Sequence, residues 1–296
     1  MGIFLGLVSS ATFGLISFFT LPLMLSGISM ETILVYRFAI ATATMGLILA
    51  AKRESLLIGL RPLLKISGLS IFYMFAVLLF FQAFAYLPSG IVATLQFQYP
   101  VMVALIMIFF FHERFRWQTG IALACAVGGV ALLSLGPVGQ PVTGAPESAA
   151  RIAIGTALGL ISGLCNGLYY VGLQVARLPA INGLVMTFYV MLFGAVFCIS
   201  NALFSGRLEW VATWPELANL FLLALVTAVI SNLTLVLAIR KIGSTMTSIL
   251  GVMEPLTAVG VGCVIFGEPF TNQLAAGALL IVGAVLLVLL TPGKRS

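Results

Sequence analysis

The 296 residues are 61% hydrophobic and 7% charged, with a mean hydropathy of +1.21, more apolar surface than a water-soluble core of this length can hide. A formal net charge of +6 is spread thinly along the chain, and no loop gathers enough Lys, Arg and aromatic side chains to track a phosphate backbone, which excludes nucleic acid as a partner. There is no H-E-x-x-H, nucleophile elbow or P-loop and no Asp at all, so neither an enzyme nor a bound metal or other cofactor is expected.

Ten apolar stretches approach the length that crosses about 30 Å of hydrocarbon at about 1.5 Å per residue. They fall at roughly 2–25, 30–51, 64–87, 90–111, 117–135, 152–177, 182–204, 216–239, 244–266 and 272–291. Lipid offers no partner for a free backbone N–H or C=O, so all are helices. The first has no basic n-region and no A-x-A cleavage site, and reads as a retained helix. It carries a small residue at every fourth position, Gly2, Gly6, Ser10 and Gly14, repeated in the sixth as Gly155, Gly159, Gly163 and Gly167. Such a stripe clears one face for close approach, so these two helices should cross each other or their repeat mates tightly.

The second span contains Arg37, a basic residue within a predicted helix. Three roles are open to it: snorkelling to the surface, pairing with Glu31, or presenting a guanidinium to an anionic substrate group. In the fourth, Pro100 lacks an N–H, which should free the carbonyl of Gln96; in the ninth, Pro255 should free that of Gly251. Val92, Gln96 and Tyr99 share one face there, and Thr247, Gly251 and Glu254 share the equivalent face. The sixth holds a polar cluster of Asn166, Tyr169 and Tyr170, and the eighth one of Thr227, Ser231 and Thr234; both are candidate cavity walls or interhelical bonding faces. Cys125, Cys165, Cys198 and Cys263 fall within spans without ligand spacing, and Trp117, Trp210 and Trp214 stand at span ends, where indoles favour the interface.

Glu254 is the sharpest of these residues. A mid-span carboxylate costs about 2.5–3.5 kcal/mol on insertion scales, so it must face a polar cavity, meet a cation or stay protonated. Glu254 is therefore the candidate for proton coupling. The candidate substrate cavity comprises Arg37, Gln96, Tyr99, Asn166, Tyr169, Tyr170, Ser231, Gly251 and Glu254, with Pro100 and Pro255 as helix kinks.

Pro100, Glu113, Phe115 and Gln118 recur as Pro255, Glu268, Phe270 and Gln273 at an offset of 155. The chain is thus one five-span unit written twice: residues 1–135, an external linker at 136–151, and residues 152–296. Glu113 and Glu268 stand at the ends of equivalent helices and suit helix-junction roles. An odd number of spans per unit inverts the second copy, and inverted repeats around a midplane site define secondary transporters. The expected fold is an all-α integral membrane protein with ten transmembrane helices in two inverted five-helix repeats around a central cavity. With the N-terminus cytoplasmic, eleven Lys and Arg residues fall inside and only Arg151 and Arg207 outside, so both termini are expected in the cytoplasm.

The duplicated halves, Tyr36-Arg37-Phe38, Pro100 followed by Phe111-His112-Glu113-Arg114-Phe115, and Glu254-Pro255 followed by Phe266-Gly267-Glu268-Pro269-Phe270 resemble the EamA-type members of the drug/metabolite transporter superfamily. The likeness runs from Gly2 to about Leu290. It implies a bacterial inner-membrane carrier of a small-molecule substrate, commonly an exporter, with the fifth and tenth helices as peripheral supports. Charge bounds the solute: phosphorylated substrates would need several basic groups, and Arg37 alone is available. A neutral or zwitterionic, amino-acid-like solute fits one carboxylate with amides and hydroxyls; a lipophilic cation or drug is the alternative, held by Glu254 and the tyrosines. A lipid-carrier flippase and a non-transporting structural membrane protein are the readings from other classes. The partners are the bilayer, the solute and H+ as coupling ion, and because one chain holds both repeats a monomer is sufficient.

Overall fold

The computed structural model describes residues 1–83, 85–87, 92, 95–113, 117–134, 149–176, 181–265 and 271–290. Among them the regular structure is helical, with no strand. The linker as far as residue 148, the motif residues Phe115, Glu268 and Phe270, and the basic residues Arg114, Arg116, Arg177, Lys294 and Arg295 lie outside the described residues.

The first predicted span is two helices, α1 (Gly2–Gly14) and α2 (Ile16–Leu25), which meet at Leu15. Helix α3 (Met30–Ala51) begins where Ser29 caps it, accepting the Thr32 N–H at 3.4 Å. After α4 (Leu60–Ala83) the chain turns at Phe97 and Gln98 before α5 (Tyr99–Phe111). Helix α6 (Trp117–Ser134) completes the first half. In the second half α7 (Ala149–Val175) starts three residues inside the predicted linker, and α8 (Gly183–Ser205) stops at Gly206, whose φ of 63° ends the helix. Helix α9 (Trp214–Leu222) leads through a π-helical stretch, Leu223–Ile230, into α10 (Ser231–Leu250); α11 (Met253–Ile265) and α12 (Asn272–Leu290) follow.

Gly243 splits α10. Its φ of 83° and ψ of 166° belong to a region open essentially to glycine, and the break separates the predicted eighth and ninth spans. The ninth is broken again at Gly251 and Val252, so each half carries a helix interrupted at its middle: at 97–98 in one and at 251–252 in the other, within one residue of the repeat offset of 155. Pro100 and Pro255 accordingly sit in the first turn of α5 and α11, where a missing N–H costs nothing. This corrects one expectation. The Gly251 carbonyl is not left open, because the Glu254 N–H donates to it at 2.9 Å across the break.

Six helical runs are long and apolar enough to cross a membrane, and four shorter apolar helices occupy the remaining predicted spans. Large apolar side chains such as Phe4, Leu47, Phe109, Phe110, Phe204 and Val264 are more than half exposed, the surface lipid would cover. The closest helix pairs each join the two halves: α1 with α10, α4 with α7, α3 with α8 and α6 with α12. Under the repeat the first two pairs exchange and the last two map onto themselves, as an inverted duplication requires.

The glycine stripes make these crossings, and they correct the partner expected for them. They approach neither each other nor their repeat mates. A Cβ on Gly6 would meet the Leu250 side chain at 2.8 Å, and one on Gly159 would meet Leu95 at 2.9 Å. Gly14 lies on the Glu254 carbonyl and Gly167 on that of Tyr99. Each partner pair, 95 with 250 and 99 with 254, is related by the offset of 155. The helices that follow the stripe thus clasp the broken helix of the opposite half. Helices α6 and α12 pack chiefly on each other, Gly129 against the Gly277 carbonyl, with α10 and α11 as lesser neighbours of both.

Candidate functional site

Glu254 and Phe13 line two cavities at once. The larger is walled by Phe13, Ile16, Val77, Phe80, Phe81 and Phe97, with Arg37, Gln96, Tyr99 and Glu254 as its polar groups. The smaller is bounded by Ser9, Ser10, Tyr73, Asn166, Tyr170, Ser231, Asn232 and Leu235 together with Glu254 and Phe13. Along α1 the small cavity touches Ser9 and Ser10 and the large one Ile16; along α4 the small one touches Tyr73 and the large one Phe80 and Phe81. At about 1.5 Å per residue the two are displaced by about 5 Å along α1, where Phe13 lines both, and by about 10 Å along α4, with Glu254 lining both.

Arg37 does not snorkel. It is 1% exposed, donates from Nη2 to the Thr227 carbonyl at 3.1 Å and stacks 5.6 Å from the ring centroids of Phe13 and Phe38. Thr227 lies in the π-helical stretch, where widened turns loosen the backbone ladder and leave a carbonyl for an outside donor. Glu31 is paired with Arg207 instead, at 3.1 Å. Among the described residues Arg37 makes no ion pair, and its Nε has no hydrogen-bond partner. A guanidinium held by one carbonyl and two rings, facing a cavity shared with a carboxylate that it does not contact, is still open to a ligand.

Several sequence candidates do meet. Arg37, Gln96, Tyr99 and Glu254 share the large cavity, and Asn166, Tyr170, Ser231 and Glu254 the small one. The Tyr99 hydroxyl, buried against Gly251, has no hydrogen-bond partner of normal geometry among the described residues, and its ring lies 5.1 Å from that of Tyr170. Other candidates do not reach a cavity. Tyr169 is fully buried behind the wall, where its hydroxyl donates to Asn232 Oδ1 at 3.4 Å, and Gly251 lies beneath Tyr99. The Thr227, Ser231 and Thr234 face is mostly structural, each hydroxyl donating to a backbone carbonyl.

Sequence reasoning missed Asn232, Tyr73 and the aromatic wall. Asn232 Nδ2 donates to the Tyr73 hydroxyl at 3.1 Å while its Oδ1 accepts from Tyr169, so one amide ties three helices together. A buried mid-span Asn at 2% exposure is a signal of its own, obscured here by its hydroxyl-bearing neighbours. Glu113 accepts from the Thr245 hydroxyl at 2.8 Å, and Gln174 Oε1 takes the Ser244 N–H freed at the Gly243 break. Both contacts join the end of one helix to the start of the broken one, which gives Glu113 the junction role expected of it.

The sequence model of the EamA-like transporter family matches residues 1–135 and 153–290. The chain belongs to the EamA-like transporter family, and is an all-α integral membrane protein of the drug/metabolite transporter type built from two inverted repeats. Among solved structures, one described only as the crystal structure of a protein is similar in fold, with a TM-score of 0.80 at 16% identity over 97% of this chain and 95% of that one. No curated protein matches.

Proposed function

We propose that this transporter exports a small zwitterionic metabolite, amino-acid-like in its head group, by alternating access, with a proton on Glu254 as the coupling ion. The observation that carries the reading is a single cavity with one guanidinium and one carboxylate that make no ion pair among the described residues, the Gln96 amide and Tyr99 hydroxyl, and an otherwise aromatic and aliphatic wall. Arg37 meets the solute's carboxylate, Glu254 its ammonium, and Phe80, Phe81 and Phe97 the apolar remainder. A lone organic cation, the alternative solute, fits less well because Arg37 stands in the same cavity as Glu254. The bias of basic residues supports termini in the cytoplasm, with the large cavity toward the outside, and the family likeness supports a bacterial inner membrane. One chain supplies both halves of the path, so a monomer suffices.

A panel of labelled solutes in proteoliposomes tests this. Amino acids with large apolar side chains should be taken up, and their decarboxylated amines should not compete. Competition by the amines equal to that of the parent amino acids would overturn the zwitterion reading in favour of the cation.

A further inference from the structure

The two cavities that meet at Phe13 and Glu254 share four repeat-equivalent lining positions. Phe13, Val77, Phe80 and Tyr99 line the large one and their equivalents, Asn166, Asn232, Leu235 and Glu254, line the small one, with Phe13 and Glu254 common to both. The offsets are those carried by the glycine stripes and by the broken helices, so the equivalence is not fitted to the cavities. The positions unique to each cavity differ in chemistry: Val77, Phe80 and Tyr99 in the large one against the amides Asn166 and Asn232 and the leucine Leu235 in the small one.

One difference explains why the second cavity is the smaller. Asn232 bonds both Tyr73 and Tyr169, drawing α4, α7 and α10 together around it. Tyr73 and Tyr169 stack with centroids 4.9 Å apart, which completes the clasp. The equivalents of these three residues are Val77, Ala228 and Ile16, none of which has a side chain able to hydrogen-bond. The large cavity therefore has no corresponding clasp.

We infer that the small cavity is a second solute site, the vestibule of the opposite membrane face, held shut by the Asn232 clasp and lined to receive the polar head of the solute. When the repeats exchange conformations the clasp opens, Asn166 and Asn232 become solvent-facing amides beside Glu254, and Phe13, Val77 and Phe80 close over the large cavity. The charged and titratable groups facing Glu254 in this scheme are Arg37 from α3, Tyr73 from α4, Tyr99 from α5 and Tyr170 from α7. An asymmetric path of this kind favours solutes with one polar and one apolar end. The inference rests on the transporter reading, but its test does not require transport.

The test is cysteine accessibility in a background with Cys125, Cys165, Cys198 and Cys263 replaced by Ala. Phe80→Cys should label readily and Leu235→Cys slowly, from opposite sides of the membrane. Adding Asn232→Ala, or Tyr73→Phe as the milder variant that keeps the ring, should raise labelling of Leu235→Cys and lower that of Phe80→Cys. The change should be about tenfold for Asn232→Ala, the shift expected from losing two interhelical hydrogen bonds. Monodispersity in detergent identifies variants that have merely failed to fold, and Tyr73→Phe then carries the experiment. Labelling of the two sites that rises together, or that ignores the clasp, overturns the inference. Reciprocal labelling in a protein that moves no solute would keep the paired vestibules and sink the proposed function instead.

Discussion

Ser9 and Ser231 each donate a hydroxyl hydrogen bond to the other's backbone carbonyl, at 2.8 and 2.9 Å, although they stand 222 positions apart in the chain. The repeat-equivalent pair is Ser162 with Ala76, where the serine donates at 2.7 Å and the alanine has nothing to return. The first helix of each half is thus fastened to the other half's third helix, doubly at one crossing and singly at the other.

These bonds have a modest and measurable weight. Ser231→Ala should lower stability by about 0.6 kcal/mol, the mean for interhelical bonds in membranes, and the Ser9→Ala, Ser231→Ala double variant by about twice that. Ser200→Ala is the control, since that exposed hydroxyl bonds only the Val196 carbonyl of its own helix. Thermal unfolding in detergent reads all three.

Glycine substitutions should sort by what lies opposite. Gly14→Ala drives a Cβ onto the Glu254 backbone carbonyl, which cannot retreat without moving the broken helix, and should cost about 1–3 kcal/mol. Gly6→Ala meets the flexible end of Leu250 and should cost less. Gly68→Ala meets nothing within 4 Å and should be stabilising by up to about 1 kcal/mol through helix propensity. The same unfolding assay ranks them, and an equal loss at all three would contradict the crossing described above.

Arg37→Lys keeps the charge but loses the planar fork that reaches the Thr227 carbonyl while stacking on Phe13 and Phe38. An apparent KM about tenfold higher is expected, the equivalent of one charge-assisted hydrogen bond of about 1.4 kcal/mol. Arg37→Gln should lose saturable uptake. Initial-rate measurements on both variants decide it; unchanged KM values would assign Arg37 to scaffolding alone.

For orientation, a cysteine placed at Gly144 should react with an impermeant thiol reagent from outside intact cells, and one at Gly59 should not. The bias of eleven inside basic residues against two motivates this. The reverse pattern would exchange the faces to which the two cavities belong and reverse the export direction.

Much of this architecture was legible in the sequence because lipid enforces it. Hydropathy placed α3 at its observed bounds, 30–51, whereas α4 lies four residues nearer the N-terminus than the predicted 64–87, at the edge of what a hydropathy boundary can locate. The repeat was legible through Pro100 with Pro255 and through the two glycine stripes. What periodicity could not show were the interruptions and the partners. Hydropathy runs smoothly through Leu15 and Gly251, where the helices are interrupted, while the break at Gly243 was legible as the gap between two predicted spans beside Arg240 and Lys241; a small-residue stripe says that something approaches without saying what. Glu254 stood out by cost alone. Asn232, Phe80 and Phe81 did not, because their meaning lies in which opposite-half residues they face.

Protonation of Glu254, the titratable residue common to both cavities, is expected to couple solute movement to the proton gradient. Glu254→Gln keeps the shape and mimics the protonated form. Uptake of the preferred solute into proteoliposomes, with and without an imposed pH gradient, should show the Gln variant exchanging solute passively while the gradient no longer drives accumulation. If the gradient drives the Gln variant as well as the parent, the claim is wrong and Glu254 serves only to hold the broken helix in place.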